Sequence, residues 1–432
     1  MFDKQLLKSL VLEQKKTLMA EDSGVLRDQY SELTKHLRLP HALVIAGLRR
    51  AGKSTLLLQL IKNEFNWDVY YFNLEDERLV GFTVQDFNAL YEIMLELYGK
   101  QSIFFLDEIQ NIPEWERFVR RLQNEKIKFV ITGSNASLLS KELGTKLTGR
   151  YIQIELLPYS FQEFLNYQQV NYTENSFLIT QERAALKKQF HDYMTLGGIP
   201  EYITYRSPHT LTTLYENILY KDIIVRYELH SVRALRELAL YLMSNVGTRI
   251  SYTKLKNTLG LGSVNTVKSY LHYLENAYLI FMLDRYAYSS LQRTTSQKKV
   301  YAIDTGLINA VSIQFSQNSA KYLENIVFLE LHRRYKHIFY YQTKNNLEVD
   351  FIVQEKKIIL LIQVCESLQN EKTRKRELTS LSTAMDELRI ENGFILTLDE
   401  TENITLSKNK KVIVLPVYQW LLSPDGNSPT TT

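Results

Sequence analysis

Residues 41–65 read HALVIAGLRRAGKSTLLLQLIKNEF, and this stretch decides the fold. An apolar run with β character, His41 to Ala46, passes into Gly47-Leu48-Arg49-Arg50-Ala51-Gly52-Lys53-Ser54. Thr55 then leads into Leu57, Leu58, Leu60 and Ile61 at helical spacing. Strand, glycine-bounded loop and helix in that order form the setting in which G-x-x-x-x-G-K-[ST] holds phosphate. The glycines let backbone N–H groups turn inward around the β-phosphate, and the helix N-terminus adds a favourable dipole. In that geometry Lys53 reaches the β- and γ-phosphates and the Ser54 hydroxyl joins a Mg2+ shell. The expected nucleotide-binding set is therefore Gly47, Arg49, Arg50, Ala51, Gly52, Lys53, Ser54 and Thr55, with ATP and Mg2+ as ligands.

Two downstream strands complete the pattern. SIFFLDEIQNIPEWERFVRRL is apolar up to Asp107-Glu108. Asp107 is placed to hold the metal shell and Glu108 to polarise the attacking water. KFVITGSN ends in Ser134-Asn135, where a side chain can hydrogen-bond the γ-phosphate or the water; a plain turn at a strand end reads equally well. A helix expected to run to about Leu147 precedes Gly149-Arg150 and a further strand, Tyr151 to Leu156. At this position ring-forming ATPases carry an arginine that projects into a neighbour's site, so Arg150 is either such a finger or one half of a surface ion pair.

At 432 residues the chain exceeds one ordinary domain, and about three domains of about 150 residues each are expected. With 45% hydrophobic and 23% charged residues it has the composition of a soluble globular protein. A net charge of +4 permits a nucleic-acid partner without demanding one. The single cysteine, Cys365, excludes a disulfide within one chain and fits a reducing compartment. No apolar run approaches the roughly 18 residues of a membrane span, and MFDKQLLKSL has no signal-peptide core. A cytoplasmic protein without a membrane partner is expected.

The motifs GLRRAGKST, FFLDEIQNIPEWE, ITGSNASLLS, LTGRYIQIELLPYSFQEFL, TLGGIPEYI and ILYKDIIVRYEL occur in that order, followed by TVKSYLHYLENAYLIF, KKVYAIDTGL, LENIVFLEL and EVDFIV. This series resembles the bacterial and archaeal AAA-type ATPases that carry a C-terminal restriction-endonuclease-like domain. The resemblance implies an α/β fold: a P-loop parallel-sheet domain, a helical and winged-helix middle, and a nuclease-like α/β terminus. The corresponding segments are 1–38 (helical), 39–165 (ATPase), 166–290 (lid and winged helix), 291–423 (nuclease-like) and 424–432 (disordered tail). It also implies a homo-oligomer linked to DNA. The rival reading is a nucleotide-gated signalling or protein-interaction switch.

In the middle, Gly197-Gly198 and Pro200 read as a helix stop. Ser251 to Leu259 forms the first helix of a winged-helix pattern; the second carries Val264, Val267, Tyr270, Leu271 and Leu274 on one face. Ser263, Asn265, Lys268 and His272 are then left to face a DNA groove, unless the module serves as a packing lid. Arg285, Arg293, Lys298 and Lys299 are candidates for phosphate contacts, or plain solvated surface. In the terminal region the resemblance puts Glu324 on a helix and Asp350 on one strand. It puts Gln363 at the head of an [E/Q]-x-K strand, a set that would bind Mg2+. The lysine place is taken by Cys365, which is essentially uncharged at neutral pH. Lys344, Lys372 and Lys375 are the lysines that could migrate in; otherwise the site is catalytically degenerate.

Overall fold

Strands β1 (Ala42–Ala46) and β3 (Ile103–Asp107) are buried along their whole length, and β4 (Lys128–Gly133) is buried after its first residue. Such strands pack on both faces, and the side chains show it. Phe105 and Val130 face the helix Lys53–Phe65 through Leu57, Leu60 and Ile61. Phe104 and Phe129 stack on the opposite face at 5.6 Å, against Phe118. With β2 (Tyr70–Asn73) and β5 (Tyr151–Glu155) they form a parallel sheet in the order β2-β3-β4-β1-β5. This computed structural model describes residues 2–136, 147, 149–287, 289–312, 319–355, 358–407 and 410–423. Most of the helix expected before Leu147, and the tail 424–432, lie outside the described residues.

The chain divides into two units, Met1–Pro158 with Asn276–Tyr278, and Tyr159–Glu275 with Leu279–Thr432. In the first, the helices Lys4–Ala20 and Tyr30–Leu37 precede the sheet. Arg27, between them, is buried; its guanidinium donates to the carbonyls of Ala51 at 2.7 Å and Leu157 at 2.6 Å. The leader thus braces the loop that follows β1.

The second unit begins with helices and a π-helical segment, Ile218–Val225. The helices Tyr252–Thr258 and Val264–Asn276 follow, with a three-stranded antiparallel sheet of β6 (Arg249–Ile250), β8 (Lys298–Ala302) and β7 (Ile280–Leu283), in that order. The division expected between 290 and 291 therefore cuts through this sheet, because β8 pairs with β6 and β7. A six-stranded sheet ends the chain, in the order β13 (Glu402–Ser407), β14 (Lys410–Pro416), β12 (Asn392–Thr397), β11 (Ile358–Val364), β10 (Glu348–Glu355) and β9 (Ile338–Gln342). In it β10 runs antiparallel to β11, and the helices Ser319–Arg334 and Glu371–Leu388 pack on this pair.

Gly197 and Gly198 do more than stop a helix. Asp304 caps the helix Thr305–Val311 by accepting from Leu307 N at 2.9 Å, and its other oxygen accepts from Gly198 N at 2.6 Å. A Cβ on Gly197, whose φ is 74°, would lie 2.2 Å from the Asp304 carboxylate. The motifs TLGGIPEYI and AIDTGL interlock through this one acid.

Candidate nucleotide site and the terminal acidic cluster

The loop after β1 closes on residues from three strands at one end of the sheet. Lys53 is buried, and its ammonium donates to the carbonyls of Gly47 at 3.2 Å and Leu48 at 3.1 Å. It also lies 3.2 Å from the Glu108 carboxylate. Gly52 and Arg50 are left-handed, with φ of 95° and 65°. A Cβ on Gly47 would meet the Leu156 carbonyl at 2.1 Å, so a bare backbone is required where the loop leaves β1. Arg49 reaches out to Glu75, and Thr55 packs against Gly24.

Asp107 is fully buried at the end of β3. One oxygen accepts from Thr132 on β4, the Ser54 hydroxyl bonds the same carboxylate, and Oδ2 has no partner among the described residues. Burial, with the neighbouring Glu108 charge, pushes Asp107 up to about 6 against the pull of Ser54, Thr132 and Lys53. Burial also works against the Glu108 charge, but Lys53, Gln110 and Arg49 hold that carboxyl below its ordinary value. Glu108 has a left-handed backbone, φ 53°, held by its N–H donating to Thr132 Oγ1 at 3.0 Å. A non-glycine residue in this region costs of order 1 kcal/mol and persists where the surroundings impose it. Gln110 bridges Glu108 at 2.5 Å and Ser134 at 3.3 Å; Asn135 is buried beside Ser134. An unpartnered carboxylate oxygen next to a serine hydroxyl is the donor set a nucleotide-bound Mg2+ requires, so the residues present fit that ion.

Arg150 is elsewhere. Its carbonyl accepts from Ala42 N at 3.0 Å and its guanidinium donates to Asn124 at 2.8 Å, at the exposed start of β5. Since β5 runs parallel to β1, five residues at about 3.3 Å each put it about 16 Å from the loop of its own chain. Thr132 and Arg27 were missed in the sequence: a threonine in a hydrophobic strand and an arginine in a helical leader carry no motif.

Parallel sheet, phosphate loop and paired acids together define a P-loop ATPase of the AAA class, an ATP-binding protein. Residues 40–165 match the AAA domain family, and residues 187–319 and 320–420 match two domains of unknown function, DUF8612 and DUF4143. The chain belongs to the same family as the uncharacterized protein MJ1544 of Methanocaldococcus jannaschii, with 35% identity over 401 residues, 88% of either chain. A Haemophilus influenzae relative is 33% identical over 338 residues, 74% of this chain and 81% of its own. The Aeropyrum pernix ORC1 protein, solved in complex with DNA, aligns over 68% of this chain and 94% of its own at 13% identity. Its TM-score is 0.30, too loose a likeness to bear on function. Among the described residues no helix is long and apolar enough to cross a membrane.

The terminal region brings Glu324, Asp350 and Gln363 together, but around a lysine that was expected at the surface. Lys299 on β8 is 1% exposed. Its ammonium lies 2.8 Å from Glu324, 2.9 Å from Glu348 and 3.0 Å from Asp350. Burial alone would lower Lys299, but Asp350, Glu324, Tyr301 and Glu348 reverse that and hold it well above its ordinary value. Burial pushes Glu324 up to about 7 in spite of Lys299. Gln363 accepts from Asp350 N at 3.2 Å and donates to Glu377 at 2.6 Å.

Two expectations are corrected here. Lys299 cannot contact phosphates at the surface, because the strand alternation that leaves Lys298 half-buried turns its neighbour inward. Lys344, Lys372 and Lys375 are exposed, away from the buried cluster around Lys299. Cys365 packs in the hydrophobic core with Val349, Leu381 and Ile395, and burial, then Glu377, pushes its thiol up to about 12.

Proposed function

We propose that this protein hydrolyses ATP as an oligomeric, DNA-associated switch or motor. Lys53 binds the β- and γ-phosphates, Ser54 and Asp107 would hold Mg2+, and Glu108 takes the proton of the attacking water. Ser134 and Asn135 sit where the γ-phosphate or the water is sensed. Mg2+ held there would supply charge stabilisation for the phosphate oxygens. The observation that carries the reading is the Lys53–Glu108 contact at 3.2 Å beside an Asp107 oxygen without a partner. Triphosphate arriving at the loop takes over the lysine and frees Glu108 to act as a base. Arg150, remote from its own loop and exposed, is assigned to the site of a second copy.

DNA association rests on the helix Val264–Asn276. Val267, Tyr270, Leu271 and Leu274 are buried, while Ser263, Asn265, Lys268 and His272 are exposed, a polar and basic face of the kind that enters a major groove. The terminal region is read as a nuclease-like fold without nuclease activity.

A second reading has its own support. Tyr220 and Val225, on the π-helical segment, are 54% and 59% exposed, which favours a protein partner and a nucleotide-gated interaction switch.

Steady-state ATP hydrolysis without DNA and with duplex, single-stranded or branched DNA separates the two. Stimulation by one DNA form, abolished in Lys53→Ala and Glu108→Gln, supports the motor. Turnover indifferent to every DNA contradicts it and favours the switch.

A further inference from the structure

We propose that the terminal region is a metal-free clamp whose resident cation is Lys299, with the lysine ammonium standing where the restriction-endonuclease resemblance would place a divalent metal. This deepens the reading of the terminal region as inactive and is independent of the ATPase.

An ammonium has three N–H donors and no acceptor. Lys299 donates to Glu324 at 2.8 Å and to Asp350 at 3.0 Å, and forms an ion pair with Glu348 at 2.9 Å. Those are charge-assisted N–H···O distances, well beyond the roughly 2.1 Å that Mg2+ takes from oxygen. Every carboxylate has a second fixed contact. Glu324 accepts from the Tyr301 hydroxyl at 2.7 Å, Asp350 from Val364 N at 2.9 Å, and Glu348 pairs with Arg249 at 3.1 Å. Among the described residues, no group of three or more His, Cys, Asp or Glu side chains is placed to hold a metal ion. Two of these acids, Glu324 and Asp350, are the ones the resemblance nominates for metal; the cation among them is a side chain of the same chain.

Provenance gives the cluster its role. Lys299, Tyr301 and Arg249 all lie on β8 and β6, in the winged-helix sheet within the segment 187–319. Glu324, Glu348 and Asp350 all lie in the segment 320–420. One side supplies the cations and the hydroxyl donor, the other supplies the carboxylates. Gly247, just before β6, is part of the fit: a Cβ there would lie 2.9 Å from the Glu324 carboxylate. The ion cluster therefore bolts the winged-helix sheet to the terminal sheet and sets the attitude of the helix Val264–Asn276. Removing one partner of a buried charged cluster is strongly destabilising, because it strands the charges that remain. The same logic says what Lys299→Met leaves behind: three converging carboxylates with no cation, a site that a divalent ion can fill.

The test is Mn2+ binding to the nucleotide-free full-length chain, by titration calorimetry with electron paramagnetic resonance of free Mn2+. It uses wild type, Asp350→Asn, Lys299→Met and the double variant Lys299→Met/Asp350→Asn. The expected result is that wild type and Asp350→Asn bind Mn2+ indistinguishably, that Lys299→Met gains one site, and that the double variant loses it. A wild type that binds Mn2+ through Asp350 overturns the clamp, and so does a folded Lys299→Met that gains nothing. If Lys299→Met does not fold, the comparison of wild type with Asp350→Asn decides alone. A DNA-cleavage assay run alongside keeps the readings apart: a wild type that binds Mn2+ through Asp350 and cuts no DNA removes the clamp but leaves the inactive reading intact.

Discussion

Two buried lysines face carboxylates in this molecule, and they are built for opposite ends. Lys53 is held by two backbone carbonyls and by Glu108. These partners can be exchanged for phosphate oxygens at little cost, and Asp107 beside it keeps an oxygen in reserve. Lys299 meets three carboxylates, each with a further bond of its own. Nothing there is spare. An ammonium among acids is thus a ligand site or a structural bolt according to whether its partners have somewhere else to go.

The largest expected effect breaks the first half of this comparison. Lys53→Ala should lower ATP turnover by at least about 100-fold, since the charge that meets the phosphates is gone; a turnover assay at saturating nucleotide checks it. Next comes the bolt. Lys299→Met should destabilise the protein by about 3–5 kcal/mol, the cost typical of orphaning a buried ion pair. Adding Glu324→Gln should restore part of that, and thermal unfolding of the two variants measures both.

Thr132→Val sharpens the account of the first site. It removes the hydroxyl that ties Asp107 to the Glu108 backbone, so kcat should fall about 10-fold while nucleotide affinity holds. Equal losses in both would make Thr132 a binding residue.

A smaller effect concerns pH. Burial pushes Asp304 up to about 6, against hydrogen bonds from Gly198, Leu307 and Gly306. The folded chain then holds this proton more tightly than the unfolded chain, whose carboxyl titrates near 3.9. The resulting stability is fully present below that value and is lost as pH rises through about 6. The amount is up to about 3 kcal/mol by linkage. Unfolding midpoints taken from pH 4 to 7 should show this slope in wild type, and Asp304→Asn should flatten its share.

How much was legible follows from where the partners lie along the chain. The phosphate loop is contiguous, and Asp107-Glu108 ends a single apolar run, so pattern and chemistry coincide in one window. The leader helices, Lys4–Ala20 and Tyr30–Leu37, and the helices Tyr252–Thr258 and Val264–Asn276 were readable for the same reason. Lys299 could not be read that way. Its partners lie 25 to 51 residues further on, and two adjacent lysines at the start of a strand look alike until the pleat sends one inward. The motif points to the Cys365 position for a cation, whereas the cation present comes from a strand of another sheet. Gly197 shows the same limit: its helix-stop role is local, but the Asp304 oxygen that forbids a side chain there is more than a hundred residues away.

Glu108 as the base, and not as a binder of nucleotide, is the central claim. The deciding measurement is single-turnover hydrolysis of ATP, with nucleotide affinity measured in parallel, for wild type and Glu108→Gln. Affinity retained or improved, with hydrolysis slowed at least about 100-fold, is the predicted result. Hydrolysis close to wild type in Glu108→Gln would contradict the account and leave the Lys53–Glu108 contact as packing alone.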